Sequence, residues 1–294
     1  MADRIRGLYG FVMTPALNII GCGKVGRVLG RLWAAGGAFE LCDVLNRSPE
    51  TAASAAAFIG AGRPVTDYAG LRHADVYMIG VPDDAIEACC EHLAAAGHPA
   101  AGKVVFHCSG AQPAAILAAA AARGAGIASA HPVASFADTG STMASFAGTF
   151  CCVEGDADAV AVVAAAFGNI GARILEIAGA SKLLYHAGSV FAASYLVTLL
   201  EVALQTYEQA GIPRESALEL MQPLVRGSVG NVFANGTAAA LSGPVVRGDR
   251  LLIARQQAAL DAWDAPVGDL YRRLAAFAAA LAQKQNESSA TEQS

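Results

Sequence analysis

The apolar positions of this 294-residue chain change rhythm once, near residue 178. Before that point, short apolar runs of β type alternate with alanine-rich stretches of helical period. The runs fall at 17–20, 39–45, 75–81, 104–107, 127–130, 149–153 and 173–177, and the helical patterns near 24–35, 49–59, 83–95, 112–123 and 157–167. Most runs are apolar without clean alternation, as expected of strands covered on both faces. The alternation predicts a doubly wound parallel sheet of the Rossmann type, an α/β domain over 14–178. From 180 to about 283 the pattern is helical throughout, with segments near 181–210, 214–225 and 249–282 and glycine-rich interruptions around 227–248. This predicts an all-α domain over 179–284, with an N-terminal extension at 1–13 and a polar, disordered tail at 285–294. The natural ligand site of such a chain is the cleft between the two domains, beyond the carboxyl ends of the strands.

The first apolar run opens directly into Gly21-Cys22-Gly23-Lys24-Val25-Gly26 and then a helix. In that setting Gly21 permits a tight turn, Gly23 lets the backbone approach a pyrophosphate, and Gly26 lets the helix pack against the strand. The free N–H groups of the helix start then face the phosphates. The second run ends at Leu45 and is followed by Asn46-Arg47-Ser48. An NAD site carries a carboxylate at that place, for the ribose 2′-hydroxyl, whereas Arg47 and Ser48 suit a 2′-phosphate, which predicts NADP(H). A shorter strand ending on Asp43 would restore NAD. The third run ends in Gly80-Val81-Pro82, placed against the adenosine or pyrophosphate, and Asp83 and Asp84 read as caps of the next helix.

Composition narrows the class. With 20 basic and 25 acidic residues the net charge is −5, which argues against a nucleic-acid partner. The seven cysteines include no CxxC and no Cys/His set at zinc spacing, so they read as reduced thiols of a cytoplasmic protein without a metal site. The first dozen residues lack the long apolar core of a secretory signal. The apolar stretch between His186 and Glu201 falls short of the roughly 20 residues of a membrane span, and reads as a helix buried in a domain or dimer core.

Candidate substrate residues lie at strand ends and in one loop. Ser109, in His107-Cys108-Ser109-Gly110, is either a substrate contact near the nicotinamide or a helix cap. His131, followed by Pro132, is either a substrate or ribose contact or a loop histidine. In Ser242-Gly243-Pro244-Val245-Val246-Arg247-Gly248-Asp249, Asp249 reads as a cap and Arg247 as an anion-binding group or a surface charge. Lys182 and His186 share one helix face at i, i+4.

The set NIIGCGKVG (18–26), NRS (46–48), VPDDAI (81–86), FHCSGA (106–111), HPVASF (131–136), KLLYHAG (182–188) and SGPVVRGD (242–249) resembles the Rossmann-like proteins with a C-terminal domain of unknown function 2520. The likeness covers about 14–282, and the last three motifs are its specific part. The family looks like a branch of the 6-phosphogluconate dehydrogenase-like superfamily, beside pyrroline-5-carboxylate reductases and 3-hydroxyisobutyrate dehydrogenases. It implies an NADP-binding, homodimeric oxidoreductase and no particular substrate. In this light Lys182 resembles the catalytic lysine of the 3-hydroxyisobutyrate dehydrogenases, with His186 where those enzymes carry Asn. A lysine there would stabilise developing negative charge, and His186 would exchange a proton. Ser194 stands where the family's helix implies Asn, as a further substrate contact.

The reading is thus an NADP(H)-dependent dehydrogenase acting on a C=O or C=N bond of a small anionic metabolite. It expects a homodimer through the helical domain and no membrane partner. The alternative is a non-catalytic NADP(H)-binding sensor or interaction protein.

Overall fold

The computed structural model describes residues 14–291 and divides into two compact units, 1–192 and 193–294. The first unit is built on one sheet of eight strands in the order β3-β2-β1-β4-β5-β6-β7-β8. The strands are β1 (Ala16–Ile20), β2 (Glu40–Leu45), β3 (Arg63–Val65), β4 (Val76–Ile79), β5 (Val104–His107), β6 (Gly126–Pro132), β7 (Phe150–Gly155) and β8 (Arg173–Glu176). Its principal helices are α1 (Lys24–Gly36), α2 (Pro49–Ile59), α3 (Ile86–Ala95), α4 (Ala118–Ala121), α5 (Thr139–Ser145), α6 (Ala157–Asn169) and α7 (Lys182–Val190).

Strands β1 to β6 pair in parallel, and the order reverses direction on either side of β1, so a switch point lies between β1 and β4. The predicted parallel sheet is thus mostly right, with one departure: β7 runs antiparallel to β6, and β8 follows β7 in parallel. Alternate residues serve two cores. Leu17, Ile19, Met78 and Phe106 face one, and Ile20, Tyr77, Ile79 and Val105 the other. Trp33 of α1 centres the first core, edge-on to Phe39, Phe106 and Phe167, with its indole N–H donated to the carbonyl of Ala166.

Two short elements escape the sequence pattern. Strand β3 is a three-residue edge strand containing Pro64, which shows no periodicity. Helix α5 is rich in Ser, Thr and Gly and depends on Asp138, whose carboxylate caps it by accepting from the N–H of Ser141.

The second unit comprises α8 (Leu196–Gln209), α9 (Arg214–Ala240), α10 (Arg250–Trp263) and α11 (Ala265–Thr291). The compact units part at 192/193, so α7 belongs with the sheet, fourteen residues beyond the boundary expected at 178/179. Helix α9 continues through Gly227 and Gly230, where an interruption was expected, and breaks at Gly236, whose φ of 82° is left-handed. The predicted helix at 249–282 is two helices, divided at Asp264, whose carboxylate accepts from the N–H of Val267. Helix α11 runs on to Thr291, into the segment expected to be a polar tail. Residues 292–294 and the expected extension at 1–13 lie outside the described residues.

Buried apolar side chains are few in this unit: Leu204, Ala217 and Met221 form its cluster. The helical run Gly179–Gln209 has an 18-residue window of mean hydropathy 1.7 that is only 6% buried, and is long and apolar enough to cross a membrane by length and composition. Of the two expected settings for this helix, a domain core or a dimer core, the chain by itself does not supply the first. Its side chains Leu183, Leu184 and Val197 are each more than two-thirds exposed.

Candidate active site at the carboxyl edge of the sheet

The glycine turn behaves as its spacing requires. Gly21 has φ 78°, donates its N–H to the carbonyl of Leu45 (2.8 Å), and lies so close to Val81 that a side chain would collide with it. Gly80 packs equally tightly, since a Cβ there would sit 2.7 Å from the carbonyl oxygen of Gly21. Gly23 is extended, precedes α1, and has open space where a side chain would be, so a phosphate could approach. Gly26 is buried, with its Cβ position 3.4 Å from Ile19, which brings α1 down on β1. Cys22 donates its N–H to Oδ1 of Asn46 (2.7 Å), and Asn46 Nδ2 donates to the carbonyl of Thr51 (3.0 Å). Asn46 is thus a strut between the glycine turn and α2. Lys24 reaches the carbonyl of Ala137 (2.7 Å), Val25 packs against the first core, and Pro82 leads into a single 3-10 turn at Asp83–Ala85.

The two readings of the β2 end separate here. Asp43 is fully buried and accepts from the guanidinium groups of Arg63 and Arg72 and from the backbone N–H of Arg72. Burial pushes its carboxyl up, but these hydrogen bonds outweigh that and hold it below the usual range. Its oxygens are committed within the protein. Ser48 is the N-cap of α2, accepting from Thr51 N–H (3.3 Å), while Arg47 is exposed with no ion pair among the described residues.

A second set of residues gathers past β5 and β6. Ser109 donates its hydroxyl to Asp83 (2.8 Å), and the same oxygen accepts from the N–H groups of Ala111 and Gln112. Of the two roles expected of Ser109, its hydroxyl serves as the cap, and it fastens the β5 turn to the β4 turn. Helix α7 lies over this turn. Lys182, with no exposed surface, donates to the carbonyl of Ser109 (3.0 Å) and to the hydroxyl of Ser129, and its ammonium lies 4.0 Å from Glu154. Burial lowers its pKa, opposed by Glu154. One turn on, the hydroxyl of Tyr185 hydrogen-bonds Nδ1 of His131 (2.7 Å), and the ring of His186 stands edge-on to that of His131 at 5.8 Å. Burial, with His186 and Lys182 nearby, lowers the pKa of His131 to about 4, so it is neutral at pH 7. His107 beneath is wholly buried, with its pKa also lowered to about 4 by burial.

The structure thus brings Lys182, His186, His131 and Ser109 together. His131 lies within β6, paired with Cys152, rather than in a loop. Ser194 and Arg247 are exposed residues of the second unit: Ser194 in a π-helical turn, Phe191–Tyr195, and Arg247 in the loop where Asp249 caps α10. Sequence reasoning missed Tyr185, Ser129 and Glu154. Tyr185 had a signal, being i+3 from Lys182 on the same face. Glu154 had none, because it arrives on the reversed strand β7.

The comparisons agree with this architecture. Residues 13–132 match the Rossmann-like domain family and residues 149–277 match the domain of unknown function DUF2520. No curated protein sequence matches the chain. Among solved structures, protein TM1727 from Thermotoga maritima is 22% identical, over 92% of this chain and 100% of that one, with a TM-score of 0.73. BF3122 from Bacteroides fragilis, described as an NADP oxidoreductase, is 18% identical over 90% and 98%, also at 0.73. A reductive aminase from Aspergillus terreus, in complex with NADPH and ethyl levulinate, is 17% identical over 92% and 99%, at 0.63. At these identities the likeness is one of fold. The chain thus carries a Rossmann-like domain over 13–132 followed by a DUF2520 domain over 149–277.

Proposed function

We propose that this chain is an NADP(H)-dependent oxidoreductase that reduces a C=O or C=N bond of a small anionic metabolite, or runs the reverse oxidation. The observation that carries the reading is a continuous line of contacts. Gly21 packs on Val81, Asp83 accepts from Ser109, and Ser109 is held by Lys182 beneath the two histidines. A dinucleotide turn and a cluster of proton-bearing groups thus share one rigid edge of the sheet. The open space at Gly23 and the N-terminus of α1 fit a pyrophosphate, and Arg47 with Ser48 fits a 2′-phosphate. The engagement of Asp43 by two arginines supports NADP over NAD.

When bound, the cofactor supplies a hydride to carbon, and the protein must supply a proton to the oxygen or nitrogen. His186 is the proton group in this reading. Lys182 is enclosed, so it acts through others: its charge holds the Ser109 carbonyl and lends positive potential to the neighbourhood of His131. Arg247 and Ser194 are kept as candidate contacts for the anionic substrate.

The second unit supports a homodimer. Among the described residues, the three buried apolar side chains Leu204, Ala217 and Met221 are a small core for a helical domain, while Leu224, Phe233 and Phe277 stand more than half exposed. The seven free cysteines support a reducing, cytoplasmic setting.

The test is NADPH oxidation against a panel of keto acids and imines, and NADP+ reduction against hydroxy acids, with Lys182→Ala as control. Turnover should fall by about a hundredfold or more in the variant with NADPH binding intact. Tight cofactor binding with no Lys182-dependent turnover would leave the non-catalytic binder instead.

A further inference from the structure

Asp83 stands apart among the ionisable groups at the carboxyl edge, because its charge is left over. Lys182 has no exposed surface and is offset by Glu154 at 4.0 Å. His107 and His131 have pKa values lowered to about 4 by burial, so neither carries charge at pH 7. Asp83 is exposed, and no cation pairs with it among the described residues. It lies between the two halves of the site. Val81, two residues before it, packs on Gly21 of the dinucleotide turn, and its own Oδ2 accepts from the hydroxyl of Ser109 at 2.8 Å. Burial lowers the pKa of His107, His131 and Lys182, and the charge of Asp83 opposes that in all three. Asp84, next on the same 3-10 turn, is also exposed but makes no hydrogen bond to this cluster.

We propose that Asp83 is a substrate-binding residue that selects a positively charged nitrogen, so that the site takes a protonated imine and its amine in preference to a carbonyl and its alcohol. The assignment rests on the oxidoreductase reading and narrows it from two bond types to one. Ser109 holds one carboxylate oxygen in place, and the other, Oδ1, accepts no hydrogen bond among the described residues. An iminium N–H donates to such an oxygen in a charge-assisted bond. An imine accepts hydride as its protonated form, and a neighbouring carboxylate favours that form. In the step itself the hydride forms the new C–H bond, the C=N π pair moves onto nitrogen, and the positive charge there is neutralised. The proton assigned to His186 is then taken up by the amine, after the hydride. A carbonyl meets the reverse situation: its oxygen gains negative charge as the hydride arrives, and Asp83 opposes that. The anionic group of the metabolite then lies on the part of the ligand away from Asp83.

Ligand titrations of the full chain saturated with NADP+, followed by NMR, test this with piperidine as a cationic ring and tetrahydropyran as its neutral twin. Piperidine should bind at least about tenfold more tightly. Asp83→Asn, which keeps an acceptor for Ser109, should remove that preference while tetrahydropyran and NADP+ stay within about twofold, and Asp84→Asn should leave the preference intact. If Asp83→Asn does not fold, Asp83→Ser should give the same selective loss. In a parallel assay, NADPH oxidation by the cyclic imine piperideine should exceed that by cyclohexanone, and Asp83→Asn should narrow the gap in kcat/KM at least about tenfold. No difference between the two rings in binding, or a preference that survives Asp83→Asn or falls equally in Asp84→Asn, overturns the assignment. Faster turnover of cyclohexanone than of piperideine also overturns it and leaves the oxidoreductase reading standing. Piperidine bound through Asp83, with no NADPH oxidation by either substrate, keeps the cation site and overturns the oxidoreductase reading.

Discussion

Replacing Lys182 by Met keeps an unbranched side chain of similar length while deleting the buried ammonium. Three partners lose it together: the carbonyl of Ser109 at 3.0 Å, the hydroxyl of Ser129, and Glu154 at 4.0 Å. Glu154 is itself only 10% exposed and keeps the N–H of Ala114 at 2.6 Å as its remaining donor. Breaking a buried pair by removing one partner costs about 3–5 kcal/mol, because the other charge is left uncompensated. Deleting both charges costs less, so Lys182→Met with Glu154→Gln should recover about 2 kcal/mol of that loss through the coupling term of the cycle. Urea unfolding measures it, read from the fluorescence of Trp33 in a Trp263→Phe background, which confines the signal to the first unit. A cost below about 1 kcal/mol for Lys182→Met, or no coupling to Glu154, would refute the view that this lysine holds the β5 and β6 ends in place.

Further outcomes are expected. Folded His107 stays neutral down to about pH 4, whereas in the unfolded chain it protonates near 6.5. The unfolded state therefore binds the extra proton between these values, and this histidine's own share of the loss in stability should be about 3 kcal/mol as pH drops from about 6.5 to about 4, with His131 adding a share of its own. His107→Asn should flatten that slope in urea titrations at stepped pH, and an unchanged slope would place the proton elsewhere. Light scattering at micromolar concentration should give a dimer, and Phe233→Glu with Leu224→Glu should shift it towards monomer; a monomeric wild type would contradict the proposed pairing. Gly80→Ala should weaken NADPH binding by at least about tenfold, because its Cβ would push on the Gly21 carbonyl, as isothermal titration can check.

Much of the first unit was legible in the sequence, because strands buried on both faces leave apolar runs and glycines leave the turn they permit. The direction of β7 was not. An apolar run such as Phe150-Cys151-Cys152-Val153 reads the same in either direction, so the arrival of Glu154 beside Lys182 could only come from the fold. The site was half legible. Lys182 and His186 follow from helical spacing, but their roles follow from depth, and no pattern marks Lys182 as enclosed. Ser109 and Asn46 show the converse: strand-end polar residues that invite a ligand are used by the protein to tie its own turns together. In the second unit, Gly227 and Gly230 look like breakers, yet helix α9 passes through both and yields only where Gly236 turns left-handed.

The central claim is a 2′-phosphate site at Arg47 and Ser48, with Asp43 withdrawn into its arginine pair. Isothermal titration of the 294-residue chain with NADPH and with NADH tests it directly. The account predicts that NADPH binds at least about tenfold more tightly, a difference of about 1.4 kcal/mol, and that Arg47→Ala removes most of that preference without weakening NADH. Equal affinities in the wild type, or a preference that survives Arg47→Ala, would contradict it.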